Sequence, residues 1–219
     1  MNKKETALKI LNILKREYSK YLTPVSTYFQ EKTKDPFKVL IATILSPRAK
    51  DTQTEKVAKK LFEKADTPEK IIQLSQKELE KIVYSIGFYK VKAKRVKEAS
   101  RHLLEHHRGN VPQKREELLS IPGVGRKVAN IILAECFNIP SIAVDTHVTT
   151  ISNRLGFVKG RNPSKVEKTL EKLFPKKQWK IINKCMVVYG QNICTPLLPR
   201  CSICSINKLC PKIGVIKSR

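Results

Sequence analysis

LLSIPGVGRKVANI, beginning at Leu118, is the stretch that decides the fold class of this 219-residue chain. It reads as a helix end, a tight turn over Pro122, Gly123, Val124 and Gly125, and a second helix starting near Arg126. Glycine lacks a Cβ, so Gly123 and Gly125 can adopt backbone angles closed to other residues. They also leave no side chain between the backbone and whatever approaches it. The first amides of the second helix then point outward with the helix dipole behind them, an arrangement that binds phosphate. Phosphate contacts hold a protein on nucleic acid without reading sequence. A bare G-x-G is an ordinary corner between core helices; the whole run from Leu119 to Ala129 is much more specific.

Outward from this hairpin, helical spacing recurs and strand alternation does not. Leu8, Leu11, Ile13 and Leu14 near the N-terminus have helical, 3.6-residue spacing. Three helix starts use one device, a capping side chain followed by proline, at Asp35-Pro36, Thr67-Pro68 and Asn162-Pro163. Ser75 with Glu78 reads as a capping box. Further helices are expected over 51–64, 76–85, 89–107, 114–120, 125–137, 146–155, 163–174 and 178–190. Ile142-Ala143-Val144 is too short to carry a sheet. The expectation is an all-α chain with short connectors and a basic tail, Ile213 to Arg219, that frays.

Lysine and arginine number 44 against 19 acidic residues, a net charge of +25. Such an excess favours a polyanionic partner over mere solubility. The basic residues are spread along the chain, which favours nucleic acid over an anionic membrane. The opening MNKKETALKILNILKREYSKY mixes charge with apolar groups and is not a signal peptide, and no apolar run is long enough to span a bilayer. A cytoplasmic, nucleoid-associated protein is expected. No oligomerisation segment is evident, so a monomer is expected.

Four of the six cysteines fall in one C-terminal loop as Cys194-x6-Cys201-x2-Cys204-x5-Cys210. Such clustering reads as a metal site rather than a disulfide framework. Four thiolates suit either tetrahedral zinc or an iron–sulfur cluster. Zinc ribbons usually present two C-x2-C knuckles, and this loop has one. Cys136 and Cys185 lie in apolar helical runs and read as inert core residues.

The hairpin and this cysteine loop together resemble the endonuclease III family of helix-hairpin-helix DNA glycosylases, from about Asp35 through Pro211. The resemblance implies two all-α domains with a DNA-binding cleft between them. One is a six-helix barrel over 29–139 carrying the hairpin at 118–130. The other joins 1–28 to 140–219 and holds a [4Fe–4S] cluster on Cys194, Cys201, Cys204 and Cys210. It also implies a bifunctional glycosylase and abasic-site (AP) lyase of base excision repair, binding double-stranded DNA that holds an oxidised pyrimidine or an abasic site.

In that family a catalytic lysine follows the hairpin and an aspartate stands in a Val-Asp-Thr-His segment. The matching residues are Lys127 and Asp145, whose separation of 18 also fits the family. The chemistry needs both types. A carboxylate stabilises the oxocarbenium-like state as the N-glycosidic bond breaks, and an uncharged amine attacks the anomeric carbon to form a Schiff base. Taken singly, Lys127 is a solvated helix charge and Asp145 an N-cap. His147, in the same segment, either orients Asp145, touches a phosphate or simply packs.

DNA contacts are expected at Gly123, Val124, Gly125 and Arg126 of the hairpin. Excision inside a duplex requires base flipping, and side chains fill the gap. By position in the family, the plugs are Arg48 in LSPRAKD and Phe88 in SIGFYKVKAKR, where glutamine and leucine are commoner. Alternatives are a mismatch (G·T/U) glycosylase of the same superfamily, whose members generally lack a lysine at position 127, and a non-enzymatic iron–sulfur DNA-binding protein.

Overall fold

The protein is described by a computed structural model over residues 2–219. Its described residues form twelve α-helices and three short 3-10 turns, with no strand. In chain order the helices are α1 Lys3–Tyr18, α2 Val25–Thr33, α3 Pro36–Leu45, α4 Asp51–Lys64, α5 Pro68–Gln73, α6 Gln76–Val83, α7 Tyr89–His107, α8 Arg115–Ser120, α9 Arg126–Cys136, α10 Thr146–Arg154, α11 Pro163–Leu173 and α12 Trp179–Asn192. No helix among the described residues is long and apolar enough to cross a membrane.

The chain divides into two compact units. One is contiguous, Val25–Ile139; the other joins the segment ending at Pro24 to Pro140–Arg219. The contiguous unit holds α2 to α9, and α5 and α8 are only 6 residues long. Its centre is α3, where Phe37 and every residue from Val39 to Leu45 are buried. A helix apolar on all sides must be surrounded, and α3 packs on α2, α4, α7 and α9. Asp35 starts it by accepting a hydrogen bond from the Phe37 amide at 2.9 Å, with Pro36 at the first helical position. The core then gathers Leu61, Ile71, Leu79, Val96 and Leu103 from the surrounding helices.

In the discontinuous unit, α1 packs against α12 and α11, and α10 packs on both. Ala7, Ile10, Leu11 and Leu14 form the apolar stripe of α1. They share a core with Ile151, Val166, Leu170, Ile182 and Tyr189. Ile142-Ala143-Val144 is a connector outside any helix, and the side-chain amide of Asn183 on α12 donates to the Ala143 carbonyl at 2.7 Å.

The caps read from sequence at Thr67, Asn162 and Ser75 all form, and α4 and α7 span the expected residues. Two features differ. Helix α2 was not expected from its Val-Ser-Thr-Tyr-Phe opening, which has weak helix propensity; burial of Val25, Ser26, Thr27 and Phe29 holds it in place. The tail does not fray. The Arg219 amide donates to the Pro199 carbonyl at 2.9 Å, the Ser202 amide donates to Arg219 at 2.9 Å, and the Ile213 amide reaches the Arg154 carbonyl at 3.1 Å.

Candidate functional site

The hairpin forms with α8 ahead of it and α9 behind. Gly123 adopts φ +84°, and a Cβ there would stand 3.3 Å from the Arg95 side chain. Two constraints therefore demand glycine, the left-handed backbone and the aliphatic stem of Arg95 beneath it. Gly125 corrects the sequence reading. Its φ of −94° and ψ of 177° are extended backbone open to any residue. A Cβ at Gly125 would meet nothing within 4 Å. Glycine at 125 thus answers no internal demand; it leaves the start of α9 bare, with no side-chain cap on that helix. Val124 is buried and pins the turn, while Arg126 is exposed. His102 Nε2 lies 3.1 Å from the Ser120 hydroxyl, tying α7 to the approach to the turn. Lys127 occupies the second position of α9 and is half-buried.

Asp145 is the N-cap of α10: its Oδ1 accepts from the Val148 amide at 2.8 Å. This fixes an anion at a helix N-terminus, a stabilising arrangement. His147 lies in the first turn of α10 with its ring against the α12 backbone, where a Cβ on Gly190 would collide with the imidazole.

Arg48 and Phe88 stand on two loops of the contiguous unit that are tied together, since Gln53 donates to the Ser85 hydroxyl at 2.8 Å. The Arg48 guanidinium lies over the Phe88 ring, 5.0 Å from its centroid. Both residues have left-handed backbone, φ 56° and 59°. Phe88 is 59% exposed. One turn further along α7, Lys92 is buried, its Nζ has no hydrogen-bond partner, and burial pushes its pKa down.

The four loop cysteines line one cavity with Ile151, Arg154 and Val215. Arg154 is the anchor that sequence reasoning missed. Almost fully buried, its guanidinium donates to the Cys194 carbonyl and Sγ, both at 3.1 Å, to the Thr195 carbonyl at 2.9 Å and to the Pro196 carbonyl at 2.6 Å. Its only sequence signal was an arginine between Ile151 and Leu155 on an apolar helix face. Tyr189 donates to Cys204 Sγ at 3.2 Å and also contacts the Ser205 hydroxyl. Burial pushes the Cys194 and Cys210 thiols up, opposed by Arg154 at Cys194 and by the Lys212 amide at Cys210. Among the described residues no three His, Cys, Asp or Glu side chains converge as one metal ion would require. Arg200, Lys208 and Lys212 are exposed on the loop. Cys185 is a core residue, its thiol pushed up to about 12 by burial.

Residues 41–176, which include the hairpin, Lys127 and Asp145, match the HhH-GPD superfamily of base excision DNA repair proteins. Endonuclease III of Thermotoga maritima is 48% identical over 179 residues, covering 82% of this chain and 84% of that protein. The chain belongs to the endonuclease III family. Endonuclease III of Synechocystis is 37% identical over 211 residues, covering 96% of this chain and 94% of that one. Among solved structures, a trapped endonuclease III–DNA covalent intermediate with an estranged adenine gives a TM-score of 0.87 at 36% identity, with 97% of both chains covered.

Proposed function

We propose that this endonuclease III family member excises oxidised pyrimidines from double-stranded DNA and nicks the resulting abasic site, with Lys127 as nucleophile and Asp145 as the stabilising carboxylate. The observation that carries the assignment is an amine at the second position of α9, directly behind a turn whose backbone is bare at Gly125. The bare turn grips the phosphates flanking the lesion through amides and the dipole of α9, with Arg126 beside them. The damaged nucleotide is flipped out of the stack.

As the C1′–N bond lengthens, positive charge develops on the sugar and the Asp145 carboxylate stabilises it. The uncharged Lys127 amine attacks C1′, and the base departs with the bonding pair and takes up a proton. The sugar ring opens to a Schiff base between Nζ and C1′. That iminium acidifies the C2′ hydrogen; its removal expels the 3′ phosphate by β-elimination, and water then frees the lysine. A similar endonuclease III has been trapped as a covalent intermediate with DNA, which supports a covalent route for this chain. The mismatch-glycosylase alternative is disfavoured by the amine at position 127, and a purely DNA-binding protein would need neither Lys127 nor Asp145.

Cys194, Cys201, Cys204 and Cys210 fit a [4Fe–4S] cluster. All four thiols line one cavity, and their spacing, with a single C-x2-C pair flanked by gaps of six and five, matches the cluster loop of the family rather than a zinc ribbon. A polynuclear cluster takes each thiolate on a different iron. Bound on these four thiolates, a cluster would tether this short loop, and Arg200, Lys208 and Lys212 on it would then be placed to meet the DNA backbone. We infer a nucleoid location from the duplex-DNA substrate and the net charge of +25, and a monomer as the working state.

Borohydride trapping on abasic duplex DNA tests the assignment. Wild type should form a covalent adduct and Lys127→Ala none; undiminished trapping by the variant removes Lys127 from the mechanism. A panel of thymine glycol, 5-hydroxycytosine, uracil, a G·T mismatch and an abasic site, read before and after alkali, separates excision from strand scission.

A further inference from the structure

Helix α7 supports the hairpin at two points. One is His102 at the Ser120 hydroxyl. The other, two turns earlier on α7, is Arg95, whose Cβ, Cδ and Cγ stand 3.3, 3.3 and 3.4 Å from where a Cβ on Gly123 would be. The aliphatic stem of Arg95 is therefore the floor on which the turn rests. Three methylenes suffice for that packing, and an unbranched apolar chain would supply it as well. The guanidinium is not needed for it, and Arg95 as a whole is exposed. Nε follows Cδ directly, so the charged head emerges beside the turn. Two neighbouring cations of α7 are spent inside the protein: Lys94 pairs with Glu98 at 3.8 Å, and Lys97 donates to the Leu74 carbonyl. Arg95 makes no hydrogen bond or ion pair with any described residue. A long side chain often packs by its stem and keeps its head in water. Here the head stands beside a turn whose Gly125 leaves the start of α9 bare.

We propose that Arg95 clamps a backbone phosphate of duplex DNA at the hairpin, so that α7 as well as the turn holds the strand in place. The inference rests on the phosphate-gripping reading of the turn and adds to it a positioning residue that lies outside the hairpin. A guanidinium carries five donors in a planar fork and no acceptor, which suits two oxygens of one phosphate. The amides of the turn offer partial charges of fixed direction; Arg95 offers a full charge that displaces condensed counterions. A phosphate contact reads no sequence, so Arg95 acts alike on damaged and undamaged duplex. Its part is placement. It fixes how the strand lies along the start of α9, and hence where the amine of Lys127, at the second position of that helix, meets the sugar.

Three substitutions separate the stem from the head. Arg95→Met keeps an unbranched stem without the charge, Arg95→Lys keeps stem and charge without the fork, and Arg95→Ala removes both. Each full-length protein, loaded with its cluster, is melted, and is titrated by fluorescence anisotropy against a tetrahydrofuran abasic duplex and the matching undamaged duplex over a series of salt concentrations. Arg95→Met should melt like wild type yet bind both duplexes about five- to tenfold more weakly, and the slope of log K against log salt should shrink by about 0.9, the value of one phosphate contact. Arg95→Lys should restore most of the affinity and the slope. Arg95→Ala should bind as weakly as Arg95→Met and also melt lower, because the floor beneath Gly123 is gone. Arg95→Met with wild-type affinity and slope overturns the inference, and so does a loss confined to the abasic duplex. If Gly125→Ala weakens binding while Arg95→Met does not, this inference fails and the hairpin reading stands; if neither weakens it, both fall.

Discussion

The two glycines of the hairpin separate folding from function, and substituting each with alanine should divide the effects cleanly. At Gly123 the backbone is left-handed, and an L side chain there costs about 1–2 kcal/mol. The new methyl would also press on the Arg95 stem at 3.3 Å, which must yield by a few tenths of an ångström. Gly123→Ala should thus lower the melting temperature by roughly 2–8 °C, at about 2–4 °C per kcal/mol for a protein of this size. At Gly125 the backbone is extended and the space is open. Gly125→Ala should leave stability unchanged or raise it by about 0.4–1 kcal/mol, through loss of unfolded-state entropy. The same methyl stands where phosphate must approach the first amides of α9. Losing a charge-assisted hydrogen bond worth about 1.5–3 kcal/mol should weaken binding to an abasic duplex by roughly tenfold to a hundredfold. Thermal melts and fluorescence anisotropy on a tetrahydrofuran duplex read the two effects independently. Gly125→Ala binding like wild type, or melting as low as Gly123→Ala, would refute the reading that position 125 is kept bare for DNA.

Three further outcomes follow from the geometry. Asp145→Asn keeps a side-chain oxygen to accept from Val148, so stability should change by less than about 0.5 kcal/mol. Excision should nevertheless fall by about 100-fold or more once the charge is gone; an active variant would reduce Asp145 to a cap. Arg154→Met strands three loop carbonyls and the Cys194 sulfur. Iron per protein and the brown colour should drop sharply on purification, and full iron content would show that the loop needs no such anchor. Lys92→Met replaces a buried, unpartnered ammonium with an apolar chain and should raise stability by about 1–3 kcal/mol at neutral pH. Burial lowers the folded-state pKa of Lys92, so the unfolded chain binds the proton more readily. Wild-type stability should therefore gain on the variant as pH rises from the folded-state pKa towards the ordinary lysine range, and a gap that stays constant over those pH values in urea melts would count against it.

What the sequence made legible was local chemistry. Asp35, Thr67, Ser75 and Asn162 announced their helices because a cap and its amide lie within three residues. The hairpin and the cysteine spacing were legible for the same reason. Helix α2 was hidden because its stability comes from packing on α3 rather than from its own residues. Arg154 was hidden because its partners lie some 40 residues away. The tail looked frayed because its anchors are backbone bonds to Pro199 and Ser202, which leave no side-chain signature. At the site, Arg48 and Phe88 could be nominated separately; their stacking joins residues 40 positions apart and was not legible.

The split of the second unit has a consequence for the living cell. The unit 25–139 is contiguous and can close while the ribosome is still at work, but α1 docks on α12, about 160 residues later in the chain. At about 5–20 residues per second, the oily stripe of Ala7, Ile10, Leu11 and Leu14 waits roughly ten to thirty seconds for its partner. Helix α1 is thus among the last of the described helices to find its place, and the nascent chain carries an uncovered apolar stripe throughout that interval.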